Sequence, residues 1–174
     1  MSTNLSYDFS VNKEEKSITV KRVFAAERSF VWDAFTKREM LDQWWAPKPW
    51  KAKTKTIDFR EGGHWHYAML GPDGEEHWAL VDYFEIDFQK SFTGLDAFAD
   101  ANGLVNKDLP QSNWKVSFTD LGKETMVQFN ISYDDLEQLE TTIQMGFKEG
   151  LAMALEGLDD VLASIEPPKT SQPD

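Results

Sequence analysis

The sequence predicts an α+β fold in which a curved antiparallel sheet packs against one long C-terminal helix. Between Lys51 and Tyr133 apolar residues alternate with polar ones, as strands with one buried face require. From there the period changes. Phe147, Leu151, Leu155, Leu158, Leu162 and Ile165 recur at spacings of three or four, one continuous apolar stripe along about five helical turns. A strand face and a helix stripe that are both apolar must meet, so the sheet wraps the helix.

The remaining elements follow in order. YDFSV and SITVKRVF, separated by NKEEK, form an N-terminal hairpin. Ser29 is placed to cap a short helix over FVWDAF, with Phe30, Ala34 and Phe35 on its apolar face. A second short helix, Lys37 to Trp44, ends where Pro47 and Pro49 forbid continuation. KAKTKTIDF is a strand with one polar face. GGHWHYAML and EEHWALVDYFEI are long strands joined by the reverse turn GPDG, and Gly62-Gly63 permits a bend where the sheet curves. KSFTGLDAF is a further strand, ADANGLVNKDLPQS a loop, and WKVSFTD pairs with ETMVQFNISY across LGK. Asp134 or Asp135 caps a helix in DDLEQLETTIQM, and Pro167-Pro168 stop the last helix. No repeat or linker divides the chain, which predicts one domain over residues 1–166 and a disordered tail over 167–174.

Composition narrows the function. A chain of 174 residues with 41% hydrophobic content can build a real core, and its seven Trp and twelve Phe suit a rigid-walled cavity as well as plain packing. The net charge of −12, from 30 acidic and 18 basic residues, makes nucleic acid and anionic membranes poor partners. With no cysteine there is no disulfide, thiol nucleophile or Cys-ligated zinc. The N-terminus lacks the apolar stretch of a signal peptide, and no run of about 18 apolar residues occurs. The expectation is a soluble cytoplasmic protein, monomer or homodimer.

VFAAERSFVWDAFTKREMLDQWWAPKPW, DFREGGHWHYAMLGPDGEEHW, SFTDLGKETMVQF and GFKEGLAMALEGLDDVLA, in that order over about residues 17–165, resemble the activator-of-heat-shock-protein-90-ATPase homologue-like family of the START-like (SRPBCC) superfamily. The resemblance implies a helix-grip fold with a deep apolar cavity between sheet and helix. It also implies a co-chaperone role as an alternative. The Asn- and Trp-rich stimulating motif of the eukaryotic activator lies outside the matched region, however, and Gln111-Ser112-Asn113-Trp114 is a poor match to it.

The candidate site starts from Trp44, Trp45 and Trp50. One reading buries Trp45 in the core with Trp44 covering the sheet edge. The other places the Pro-containing loop at a cavity mouth, with Trp45 closing the cavity from the side and Trp50 on the rim. Pairing Gly71 with Gly74 would set Tyr67 opposite Trp78 and Trp65 opposite Leu80, one aromatic face that forms the cavity wall. Phe129 joins it from the sheet, and Leu151 and Leu155 cover it from the helix. The same register gathers His64, His66 and His77 on the opposite face, where a flat sheet spreads them too far apart to hold a metal. Asp82 falls on the aromatic face unless a bulge turns it outward, and it is the candidate for acid–base chemistry. Asp96, Asp100 and Asn102 are Asx-turn formers in a solvated loop. No GxSxG, Walker A, GxGxxG or HExxH motif occurs. The expected activity is binding of a small hydrophobic or aromatic ligand, with no cofactor. The alternatives are a chaperone-type interaction module using Trp44 and Trp50, or a cyclase- or hydrolase-like enzyme.

Overall fold

In the computed structural model, residues 7–165 are described; the tail expected over 167–174 lies outside them. Among the described residues, eight strands form one antiparallel sheet in the order β1-β2-β8-β7-β6-β5-β4-β3. They are β1 (Tyr7–Asn12), β2 (Ser17–Phe24), β3 (Lys51–Ile57), β4 (His64–Leu70), β5 (Glu76–Asp87), β6 (Ser91–Ala99), β7 (Gln111–Asp120) and β8 (Thr125–Ser132). Helices α1 (Arg28–Thr36) and α2 (Arg38–Trp44) separate β2 from β3, and α3 (Leu136–Gln144) and α4 (Phe147–Ile165) follow β8. This is the α+β helix-grip fold, with the curved sheet closing on α4.

Alternation places the core. On β8, Val127, Phe129 and Ile131 are fully buried, and Ile18, Val20 and Phe24 of β2 face the same side. The stripe of α4 lies against them, with Leu155 and Leu158 fully buried and Leu162 nearly so. Each such leucine contributes about 2 kcal/mol of hydrophobic stabilisation. α4 faces Trp44 and Pro47 at two glycines, where an added Cβ would make only ordinary van der Waals contact, 4.0 Å from Trp44 at Gly157 and 3.9 Å from Pro47 at Gly150.

Two polar devices lock the layers. Arg22, on the buried face of β2, forks onto Asp159 of α4 through bonds of 3.1 and 2.5 Å. At the other edge Asp42 of α2 accepts bonds from both the backbone N–H and the hydroxyl of Thr54 on β3, at 2.9 and 2.7 Å. Arg38 of the same helix donates to the Thr54 carbonyl at 2.6 Å.

Capping differs from expectation at α1. Its N-cap is Glu27, whose side chain makes no capping bond, and Ser29 lies inside the first turn. At α3 Asp135 is the cap, accepting from the Gln138 N–H at 2.9 Å.

Candidate functional site

The cavity wall depends on the register of the β4–β5 hairpin, and that register is one residue away from the expected one. The Gly71 N–H donates to the Glu75 carbonyl at 2.9 Å, and Leu70 pairs with Glu76. Gly74, at φ +90°, adds a left-handed residue to the turn, the three-residue hairpin loop that a glycine in this position favours. A one-residue shift turns every β5 side chain over. Met69 therefore lies opposite His77, Tyr67 opposite Ala79 and Trp65 opposite Val81, whereas Ala68 pairs with Trp78, His66 with Leu80 and His64 with Asp82.

Two corrections follow. Asp82 is exposed on the outer face, turned there by register and not by a bulge; the β5 irregularity comes later, between Tyr83 and Ile86. The three histidines are split between faces. His66 is buried on the outer side, with Nε2 2.8 Å from the Asp100 carbonyl, whereas His77 lies 5.3 Å from the Trp50 ring on the inner side.

The inner face holds a pocket of about 280 Å³, slightly below the range usual for ligand sites. β4 and β5 supply Tyr67, Met69 and Ala79, and β7 supplies Trp114. The α2–β3 loop adds Trp45 and Pro47, and the first half of α4 closes the pocket with Phe147, Gly150, Leu151 and Ala154. Trp45 is the pivot. Its indole N–H donates to the Tyr67 hydroxyl at 2.8 Å, and its ring lies 6.1 Å from Trp114. Trp114 in turn meets Phe147 edge-on at 5.9 Å. Deeper in the sheet lies a void of about 40 Å³ between Trp65, Phe129, Val116 and Tyr83.

Asp96 lines both spaces. It sits on β6 opposite Val81 and Ser112, so Phe92, Gly94, Asp96 and Phe98 share the inner face. Its Oδ1 is shielded from solvent and has no hydrogen-bond partner among the described residues. Burial disfavours the charged form and pushes the carboxyl up to about 7. The Tyr67 phenol is raised well above its ordinary value, first by burial and then by the Asp96 charge. Asp100, by contrast, is a solvated Asx-turn former. It accepts from the Asn102 and Leu104 N–H groups at 2.9 Å each, and those bonds lower its pKa.

The expected site residues thus separate. Trp45, Tyr67 and Leu151 line the pocket. Trp65 stacks on Tyr67 at 4.1 Å, one layer deeper, beside Phe129. Leu155 is sealed core. Trp78 borders the pocket, but its ring packs 5.0 Å from His66 on the outer side. Trp50 is not among the pocket-lining residues; its ring lies 5.3 Å from that of His77, which is. Trp44, expected at the sheet edge, is fully buried and donates to the Ala34 carbonyl at 2.8 Å. Sequence reasoning missed Trp114, Phe147 and above all Asp96. The signal for Asp96 was the alternation of SFTGLDAFA, which sets it in phase with Phe92 and Phe98.

Several solved structures share this architecture. A crystal structure of a Mycobacterium smegmatis protein is 30% identical, covering 91% of this chain and 96% of that one with a TM-score of 0.83. A solution structure from Arthrobacter aurescens is 27% identical, covers 91% and 92%, and has a TM-score of 0.86. An AHSA1 protein of Silicibacter pomeroyi, at 17% identity, shares the fold over 84% and 97% of the two chains with a TM-score of 0.67. No curated protein sequence matches the chain. The profile of the Activator of Hsp90 ATPase homolog 1-like protein family matches residues 25–163, and the chain belongs to that family.

Proposed function

We propose that the protein binds a small, largely apolar aromatic molecule between the sheet and the first half of α4. The observation that carries this reading is the unfilled pocket of about 280 Å³ walled by Trp45, Tyr67, Trp114, Phe147 and Leu151. Rigid aromatic walls with few polar groups are how proteins enclose such ligands. A neutral dye, N-phenyl-1-naphthylamine, is expected to bind at one site per chain and to quench tryptophan emission, because Trp45 and Trp114 form the wall. Leu151→Trp fills the space and should abolish binding while the far-UV circular dichroism stays unchanged. Equal dye affinity in the two proteins would refute the pocket as the ligand site.

A second reading, acid–base catalysis, is favoured by one feature: a carboxyl near neutrality inside an apolar site can exchange a proton at physiological pH. Against it, Asp96 has no side chain orienting its free oxygen. The interaction-module reading keeps only Trp50 of its two tryptophans, since Trp44 is buried.

A further inference from the structure

Among the described residues, the pocket lining contains no lysine or arginine. Asp96 is its one carboxylate, and the other titratable lining groups are Tyr67 of β4, Tyr133 after β8 and His77 of β5 near the rim. No charged group from α2, α3 or α4 lines the space. The shielded Oδ1 of Asp96 is an acceptor without a donor, a costly condition in a folded protein unless a ligand relieves it. Indole and phenol faces of Trp45, Tyr67, Trp114 and Tyr133 surround the same space, and such faces attract cations. At long range, a protein of net charge −12 draws cations towards its surface.

We propose that Asp96 is the specificity determinant of this pocket and that it selects organic cations, aromatic amines in which a protonated nitrogen is carried on an apolar ring system. This rests on the binding reading above and names the ligand class. The ammonium would donate to Asp96 Oδ1 at the waist between the pocket and the deeper void, with the ring system held among Trp45, Trp114 and Phe147. Carboxylates of the same shape are disfavoured, because nothing in the lining neutralises them and Asp96 repels them.

Three probes of one shape separate the possibilities: 2-(1-naphthyl)ethylamine, 2-(1-naphthyl)ethanol and 1-naphthaleneacetic acid, titrated calorimetrically into the parent, Asp96→Asn and Leu151→Trp. The parent should bind the amine about tenfold or more tighter than the alcohol, with the acid weakest. Amine affinity should rise about tenfold between about pH 6 and pH 8.5 as Asp96 ionises, while alcohol affinity stays level. Asp96→Asn, which is nearly isosteric, should erase both the preference and the pH dependence yet still bind the alcohol. If all three probes bind alike in the parent and Leu151→Trp abolishes them, the pocket reading stands and the role of Asp96 is overturned. The same holds if Asp96→Asn keeps the amine preference. If no probe binds, or if Leu151→Trp changes nothing, both readings fall.

Discussion

Trp32 and Trp45 come from the same helical insertion between β2 and β3 and meet opposite fates. Trp32 is enclosed by Phe59, Phe88, Phe92 and Phe118, each tilted edge-on to it at 5.0 to 5.9 Å. Trp45 also has aromatic neighbours, Trp44, Trp65, Tyr67 and Trp114, but one side of it opens on unfilled space. Aromatic density is similar around both rings, so it does not distinguish core from cavity. The difference lies opposite the ring. Trp32 is buried among its four rings, whereas Trp45 shares its pocket with Ala79, Gly150 and Ala154, whose small size leaves room. Small residues on the facing elements, together with one unpaired carboxyl, make the open end.

The sharpest break of this contrast uses α4, which serves both ends. Leu155→Asp places a charge in the sealed half and should cost several kcal/mol, against a total stability of about 5–15 kcal/mol for a domain of this size. Leu151→Trp, one turn earlier at the open end, should cost less than about 1 kcal/mol because the space is already there. Thermal melts of the two variants test it, and equal losses would mean that α4 does not divide the molecule this way.

Asp96 gives a pH signature to the open end. Its folded pKa of about 7 lies above the ordinary 3.8. Between those values the folded state holds a proton that the unfolded state has released. Stability from this group therefore falls as pH rises from about 4 to 7, and the penalty is complete above 7. The stability of Asp96→Asn relative to the parent should grow by up to about 4 kcal/mol between pH 4 and pH 8. Urea melts at both pH values measure this, and a constant difference would place Asp96 in water.

A smaller effect than that of Leu155→Asp or Asp96→Asn belongs to the Arg22–Asp159 fork, which ties the sealed half of α4 to β2. Asp159 is one-third exposed, so the pair lies between the surface and buried cases. Arg22→Met should cost about 2 kcal/mol. A double-mutant cycle with Asp159→Asn should return a coupling of about 1 kcal/mol or more. Additive losses would show the fork to be idle.

The sheet and the gripping helix were legible because burial enforces periodicity. The stripe from Leu151 to Leu162 and the alternation of β8 could hardly be otherwise. The pocket was less legible, for two reasons. In GPDG the positive φ of Gly74 lengthens the turn by one residue, and the sequence of a turn does not reveal that count directly. One residue was enough to turn Asp82 and the Trp78 ring to the outer face, leaving Trp78 only at the pocket border, and to bring Ala79 into the wall. Asp96 was read with Asp100 and Asn102 as loop chemistry, although the strand continues to Ala99 and its own alternation already pointed inward. The reading that buried Trp45 and left Trp44 at the sheet edge was inverted for a related reason: α2 ends at Trp44, so its final residue still faces the core while the next side chain lines the pocket.

The bonds that Asp42 and Arg38 make to Thr54 have a consequence beyond holding α2 in place. Among the described residues β3 is the last strand of the sheet, and the N–H and C=O of Thr54 point outward, where a further strand would pair. An exposed edge of this kind is a template for chain-to-chain growth. Here two side chains occupy the template, one accepting and one donating as a neighbouring backbone would. Lys51, Lys53 and Lys55 stand exposed along the same strand, so a second copy arriving edge to edge would meet like charge. The sheet thus ends in side chains that imitate its next strand, and growth stops there.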